Sequence, residues 1–204
     1  MLLSVHPENP QPRLIKQLVH SLENGGILIY PTDTVYGLGC DILQPKAVEK
    51  ICRIKQIDPK KAMLSFVCSD LSHLSDYTKP ISNQAFRVLK EYLPGPFTFI
   101  LPASKLVPKL LQSKKNTIGL RIPQNRIALD IVHALGRPIL STSLPGEMVE
   151  DYTDPEVMYA NFQNEVDFVV DGGIGDTTPS TIVDLTGETP QIIRQGLGIW
   201  EETA

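Results

Sequence analysis

The sequence is poor in cysteine and has no pattern that binds a structural metal. Its three cysteines, Cys40, Cys52 and Cys68, are widely spaced, and they form no C-x-x-C pair and no cluster with histidine. A structural zinc site is therefore not expected. The odd number of thiols and the lack of a secretory segment favour reduced cysteines in a cytoplasmic protein. We expect each thiol to pack in the core.

The sequence also lacks the motifs of several large enzyme classes. It contains no G-x-x-x-x-G-K-[ST], no well-placed G-x-G-x-x-G, no H-E-x-x-H, no nucleophile elbow and no pair of catalytic carboxylates. These absences exclude a P-loop protein and leave no residues from which to predict a bound metal. No apolar run approaches the roughly 20 residues that span a bilayer. The net charge of −4 excludes a polycation, although a local basic face can still bind phosphates.

The most informative stretch that is present covers residues 27–40. Apolar residues 27–30 predict a buried strand, and Pro31 closes it because proline cannot donate to a strand ladder. A glycine-bearing loop is predicted to follow, with several polar side chains: Thr32, Asp33, Thr34 and Tyr36. In open α/β sheets ligands bind in crevices outside strand ends. The stretch therefore indicates either a ligand site or an ordinary strand end with turn residues.

Helical and strand-like patterns alternate along the chain, which predicts one α/β domain over residues 1–204 with a mixed sheet and helices packed on it. Helices are predicted at 12–22, from Pro45 onward, and at 81–93, 125–135 and near 155–163. Strands are predicted at 27–30, 63–68, 97–101, 117–122, 138–142, 165–171, 181–185 and 191–194. Residues 172–180 form a non-periodic segment, which is either a mobile loop over a site or a long connection.

One charged residue stands out within a predicted strand. Residues 117–122 alternate strictly, with Ile118, Leu120 and Ile122 on one face. Arg121 therefore shares the opposite face with Thr117 and Gly119. Because a guanidinium opposite an apolar strand face is costly unless it is paired, we expect a partner or a ligand at Arg121.

Further cations and hydroxyls lie at predicted strand or helix ends. They are Lys55, Thr98, Ser141, Ser143, Ser180, Thr181 and Arg194. Arginine binds carboxylates and phosphates through paired hydrogen bonds, and hydroxyls add directional ones. The set suits an anionic ligand, although each residue could equally be a solvated surface group.

Basic residues also cluster in two stretches that contain few acids. They are Lys46, Lys50, Arg53, Lys55, Lys60 and Lys61, and then Lys105, Lys109, Lys114 and Lys115. The clusters indicate either solvated helix faces and loops or an electropositive surface for RNA.

Taken in order, seven segments resemble the YrdC-like family of threonylcarbamoyl-AMP synthases. They are residues 31–39 (PTDTVYGLG), the helix end 51–55, 94–101 (PGPFTFIL), 118–123 (IGLRIP), 138–143 (PILSTS), 179–185 (PSTIVDL) and 193–196 (IRQG). They extend over nearly the whole chain and stand in the family's order.

This resemblance implies a twisted mixed sheet with a concave, positively charged face. The family condenses L-threonine, bicarbonate and ATP into threonylcarbamoyl-adenylate and pyrophosphate, with Mg²⁺ bridging the phosphates. That product supplies the threonylcarbamoyl group of adenosine 37 in tRNAs that read codons beginning with A. Binding of double-stranded RNA or tRNA is also implied.

The resemblance assigns roles to nine positions. ATP or its phosphates would contact Lys55, Thr98, Ser141, Ser143 and Arg194. Threonine would contact Thr34, Tyr36, Arg121 and Ser180, with Arg121 at the carboxylate.

Two family motifs are altered in this chain. The Lys-x-Arg motif has Ile57 in place of its arginine, and the Ser-x-Asn motif has Ser143 in place of its asparagine. Both changes are typical of the YciO-like branch of the family. Three activities therefore stay open: weak synthase activity, removal of the threonylcarbamoyl group from tRNA, or RNA binding without catalysis.

Overall fold

A computed structural model describes residues 1–58, 64–111, 115–145 and 152–201, and these residues build one twisted ten-stranded sheet. The strands are β1 (Leu2–Ser4), β2 (Ile27–Tyr30), β3 (Gly37–Asp41), β4 (Ser65–Val67), β5 (Phe97–Pro102), β6 (Thr117–Arg121), β7 (Ile139–Ser143), β8 (Phe168–Asp171), β9 (Thr181–Asp184) and β10 (Gln191–Arg194). Their order across the sheet is β1-β8-β2-β3-β7-β4-β6-β5-β9-β10. Both parallel pairs, such as β5 with β9, and antiparallel pairs, such as β3 with β7, occur. The predicted mixed α/β sheet is confirmed.

Six α-helices and one short 3₁₀ helix connect the described strands. They are α1 (Pro12–Glu23), α2 (Pro45–Ile54), α3 (Leu71–Asp76), α4 (Asn83–Tyr92), the 3₁₀ helix Lys109–Leu111, α5 (Arg126–Leu135) and α6 (Pro155–Phe162). Pro45 opens α2 in the first turn as predicted, because its missing N–H is not needed there. Gly136 ends α5 in the left-handed conformation at φ 70°. None of the described helices is long and apolar enough to cross a bilayer.

The helices cover the two faces of the sheet unequally. Helices α2, α3, α4 and α6 pack on the face that carries Phe66, Leu120 and Leu140. Of the helices that the structure describes, α1 and α5 alone pack on the other face, where they cover Leu28, Tyr30, Val67 and Ile139. The second face is therefore left partly uncovered toward β6, β5 and β9, which is where the cavity described below lies.

Three parts of the strand and helix prediction were wrong. Residues 37–41 form β3 and not a loop, and they pair with β2 and β7. Gly37 and Gly39 have low strand propensity, so residue preferences did not indicate a strand here. The strand predicted at 165–171 begins only at Phe168. β1 and α3 were missed because three and six residues are too short to show a period.

The cysteine prediction agrees with the fold. Cys40, Cys52 and Cys68 are free and buried, so their expected packing in the core is confirmed. Burial raises the pKa of the Cys40 and Cys68 thiols above the usual range, which keeps both neutral at physiological pH.

Some of the predictions fall on residues that the structure does not describe. Met63, at the start of the predicted strand 63–68, and Lys60, Lys61 and Lys114 of the basic clusters lie outside the described residues.

Candidate functional site: a cationic cavity lined by hydroxyls

A cavity of about 300 Å³ opens on the half of the sheet that α1 and α5 leave uncovered. It is lined by Thr32, Val35, Tyr36, Gly37, Ser65, Thr98, Ile100, Thr117, Gly119, Arg121, Ser141, Thr142, Ser143, Pro179, Ser180, Ile182 and Arg194. The volume lies at the lower end of the roughly 300–1,000 Å³ that ligand pockets occupy. Two arginines and no acidic residue are found among the lining residues of the described chain, so the cavity favours an anionic group.

Arg121 is the last residue of β6 and is held by the polar loop that follows β2. Its Nη2 donates to Asp33 Oδ1 at 2.5 Å, to Thr34 Oγ1 at 2.5 Å and to Thr32 Oγ1 at 3.3 Å. Both side chains of the ion pair with Asp33 are only 10% exposed. The charge of Arg121 is therefore compensated within the protein, and the expected partner is an acid of the chain itself.

Two polar atoms of this ion pair remain unused. Arg121 Nε and Asp33 Oδ2 are buried and have no hydrogen-bond partner among the described residues. Because orphaned buried polar atoms cost free energy, the arrangement is only partly satisfied without further polar groups.

Arg194, at the end of β10, differs from Arg121 in its hydrogen-bond partners. Its Nε and Nη2 donate to the Ser180 carbonyl oxygen at 3.2 and 2.7 Å, and Nη2 also reaches Ser180 Oγ at 3.3 Å. No carboxylate pairs with it in the described part of the chain. Burial, followed by the nearby charge of Arg121, lowers the pKa of Arg194. Arg194 thus contributes the uncompensated positive charge of the cavity.

The hydroxyls of the cavity wall are joined to each other and to groups behind them. Thr98 Oγ1 and Ser180 Oγ are 2.9 Å apart and buried. Tyr30 donates to Ser141 Oγ at 2.7 Å. Ser65 Oγ donates to the carbonyl oxygen of Ser141 at 3.2 Å. These contacts hold the hydroxyls in position at the cavity wall.

Tyr36 connects the cavity to the segment after β8. Its hydroxyl donates to the Gly173 carbonyl at 2.7 Å and accepts from the Gly172 N–H at 3.2 Å. A Cβ at Gly175 would come within 2.6 Å of the Tyr36 ring. Burial raises the pKa of Tyr36 to about 12. The segment 172–180 is therefore fastened to the cavity wall, as a connection that ends in the lining residues Pro179 and Ser180.

The structure places Lys55 at the rim of the cavity and not in its wall. Its Nζ donates to Ser143 Oγ at 3.3 Å and to the Leu144 carbonyl at 3.1 Å, and burial lowers the pKa of this ammonium. Ile57, which stands where the family motif has arginine, packs against the core instead. The cation that the motif would add is absent from this position.

Seven of the nine predicted site residues lie together in the cavity wall: Tyr36, Thr98, Arg121, Ser141, Ser143, Ser180 and Arg194. Thr34 is fully buried and contacts Arg121 from behind. The sequence placed Asp33 in the polar loop after the first buried strand, and it placed Thr117 and Gly119 on the face of Arg121, without giving any of them a role. Ser65 was missed.

Fold and cavity together define the class: a mixed α/β protein with a cationic, hydroxyl-lined pocket on one sheet face. The chain belongs to the Sua5, YciO and YrdC family, whose sequence model, described as "Telomere recombination", matches residues 20–196. The resemblance expected from the seven segments is confirmed.

Three relatives illustrate the similarity. YciO of Escherichia coli K12 is 46% identical over 197 residues, which cover 95% of this chain and 94% of that protein. Its crystal structure superposes with a TM-score of 0.91, at 98% and 97% coverage. A threonylcarbamoyl-AMP synthase of Coxiella burnetii is 32% identical over 176 residues, or 85% of this chain and 94% of the relative.

The third relative is Sua5 of P. abyssi, whose crystal structure is a complex with L-threonine. It is 27% identical, with a TM-score of 0.85, and the match covers 96% of this chain. This chain spans 57% of the Sua5 chain. The relatives therefore include both YciO and synthases of threonylcarbamoyl-AMP.

Proposed function

We propose that the cavity binds L-threonine or the threonylcarbamoyl group, and that the protein acts in the metabolism of threonylcarbamoyladenosine in tRNA. The observation that carries this proposal is the pair of guanidinium groups, Arg121 and Arg194, in a small cavity with many hydroxyls and no acid among its described lining residues. A carboxylate or carbamate finds positive charge and hydroxyl groups there. Support comes from relatives named threonylcarbamoyl-AMP synthase and from the Sua5 complex with L-threonine.

In the synthase reaction the amine of threonine takes up bicarbonate to form a carbamate. The carbamate oxygen then attacks the α-phosphorus of ATP, and pyrophosphate leaves; water is lost overall from bicarbonate. The chain's own contribution is orientation and charge stabilisation by Arg121, Arg194 and the hydroxyls of Thr98 and Ser180. No protein nucleophile is required.

ATP and Mg²⁺ enter this proposal as substrates. The described residues hold no group of three potential metal ligands, and the cavity wall offers hydroxyls and arginines. Such donors do not suit a resident Mg²⁺, which prefers carboxylates and water. The phosphates of the nucleotide would therefore carry the ion into the site.

The altered motifs favour a second candidate, removal of the threonylcarbamoyl group from tRNA. Ile57 is packed against the core, so the motif arginine that would face the triphosphate is missing. Hydrolysis needs no triphosphate: water cleaves the bond between the carbonyl carbon and N6 of adenosine, which releases the N6 amine of adenosine and the carbamate of threonine. A second water then converts the carbamate into threonine and bicarbonate. The same cavity would hold the threonylcarbamoyl group. A third possibility, RNA binding without catalysis, depends on exposed basic residues such as Lys46 and Lys109.

Two incubations test the proposal. The protein is first given ATP, L-threonine, bicarbonate and Mg²⁺, and pyrophosphate and threonylcarbamoyl-adenylate are measured. It is then given tRNA that carries threonylcarbamoyladenosine, and loss of the modification is followed by mass spectrometry. Turnover in either assay supports the proposal, and RNA binding with turnover in neither supports the non-catalytic module.

A prediction for the rim concerns Lys55. Its ammonium group lies beside Ser143 and Leu144, so Lys55→Ala should weaken binding of Mg²⁺–ATP by about three- to tenfold, the value of one hydrogen bond. Lys105→Ala is the matched control, because Lys105 is exposed and outside the cavity wall. Equal effects of the two substitutions in a calorimetric titration would place the phosphates elsewhere.

A further inference from the structure

Tyr30 is a buried phenol that reaches the cavity floor from behind. Its side chain is fully buried among apolar residues of the α1–α5 side of the sheet. The hydroxyl lies 2.7 Å from Ser141 Oγ, which is part of the cavity wall. Burial raises the pKa of Tyr30 to about 12, so the phenol stays protonated at physiological pH.

Two glycines of β3 make this contact possible. Tyr30 lies on β2 and Ser141 on β7, so the ring must cross β3, which runs between them. A Cβ at Gly37 would stand 3.1 Å from Tyr30 Cζ, and one at Gly39 would stand 2.8 Å from Tyr30 Cε1. Any side chain at Gly39 would also meet the Leu140 carbonyl at 2.8 Å. Glycine in a strand interior is unfavourable, and here it leaves room for the tyrosine ring to cross.

The direction of the hydrogen bond follows from the surroundings. A buried phenol O–H without an acceptor costs free energy, and the only acceptor found for Tyr30 in the described chain is Ser141 Oγ. Tyr30 therefore donates. No other hydrogen bond of Ser141 Oγ occurs within the described residues, so the serine keeps its own hydrogen, and its hydroxyl borders the cavity.

We infer that Tyr30 is a positioning residue that makes Ser141 a hydrogen-bond donor toward an acceptor oxygen of the ligand. The oxygen would belong to a carboxylate or carbamate, or else to a phosphate. Arg194 acts in the same sense on the other wall, because it donates to Ser180 Oγ. One hydrogen of the Ser180 and Thr98 hydroxyls is used in the bond between them, and the other is left to point onward. The inference rests on the proposed function only in the choice of ligand.

The test is a double-mutant cycle of Tyr30→Phe and Ser141→Ala, with two probes titrated by calorimetry. L-Threonine offers a carboxylate, and inorganic pyrophosphate offers phosphate oxygens. We expect Tyr30→Phe to lower the affinity for one of the two probes about five- to tenfold. The probe that is affected shows whether the oxygen belongs to a carboxylate or to a phosphate. Ser141→Ala should lower the affinity for that probe at least as much. The double variant should bind it no more weakly than Ser141→Ala, because it has no Ser141 hydroxyl for Tyr30 to orient. Tyr77→Phe, which removes a tyrosine hydroxyl outside the cavity wall, should change neither affinity.

Thermal unfolding supplies a second, ligand-free measurement. Ser141→Ala leaves the Tyr30 hydroxyl without an acceptor and should lower the melting temperature, whereas the double variant should recover it. Wild-type affinity in Tyr30→Phe, an equal further loss in the Ser141→Ala background, or binding of neither probe to the wild type overturns the inference. Absence of turnover in both incubations, with the binding pattern intact, would instead overturn the proposed function alone.

Discussion

Replacing Arg121 with alanine should abolish binding of L-threonine and lower the free energy of unfolding by about 3–5 kcal/mol, the usual cost of breaking a buried ion pair. Asp33 Oδ1 would lose its partner at 2.5 Å while its side chain is only 10% exposed. Thr34 would lose the donor that contacts its hydroxyl. The cavity would lose the guanidinium that the proposed carboxylate needs. Binding is measured by calorimetry and stability by urea unfolding at pH 7.

The control separates the two losses by removing the stranded charge. In the double variant Arg121→Ala with Asp33→Asn no buried carboxylate is left unpaired, so much of the stability should return. Binding should stay lost, because the asparagine replaces no guanidinium. If Arg121→Ala bound L-threonine as the wild type does, Arg121 would have no part in the ligand site. If the single variant kept full stability, the pair with Asp33 would contribute nothing to the fold.

The strand face of Arg121 and its need for a partner could be predicted because the signal is local. A strict alternation over six residues fixes which side chains share a face, and the structure places Thr117, Gly119 and Arg121 in the cavity wall, with Ile118 and Leu120 in the core on the opposite side. Strand β2, Ile27–Tyr30, could likewise be predicted from an apolar run that stops at Pro31. Features set by neighbouring residues can be taken from one sequence.

Features set by distant residues could not be predicted in this way. The contact between Tyr30 and Ser141 joins positions 111 residues apart, and the contact between Arg121 and Asp33 joins positions 88 apart. Nothing near Tyr30 indicates that its hydroxyl will meet a serine across an intervening strand. The sequence likewise did not show that Lys55 lies at the rim of the cavity or that Thr34 is buried behind Arg121; their contacts with a ligand stay predictions.

Arg194→Ala should separate ligand binding from stability. Arg194 has no carboxylate partner in the described chain and lies on the exposed strand β10, so its removal strands no charge. The substitution removes the hydrogen bonds that Arg194 donates to the Ser180 carbonyl oxygen. We expect the free energy of unfolding to change by less than about 1 kcal/mol, the value of a typical net hydrogen bond.

Binding should respond much more strongly than stability, because Arg194 is the uncompensated cation of the cavity wall. A charged hydrogen bond contributes about 1.5–3 kcal/mol, which corresponds to roughly a 10- to 150-fold loss of affinity for the anionic ligand. Arg194→Lys should keep part of that affinity, since it retains the charge without the planar fork. Arg126→Ala is the matched control, because its side chain is 64% exposed and paired with Asp130. An equal loss of affinity in Arg126→Ala would mean that the overall charge of the protein, and not the cavity, attracts the ligand. An unchanged affinity in Arg194→Ala would mean that the anion does not bind beside β10.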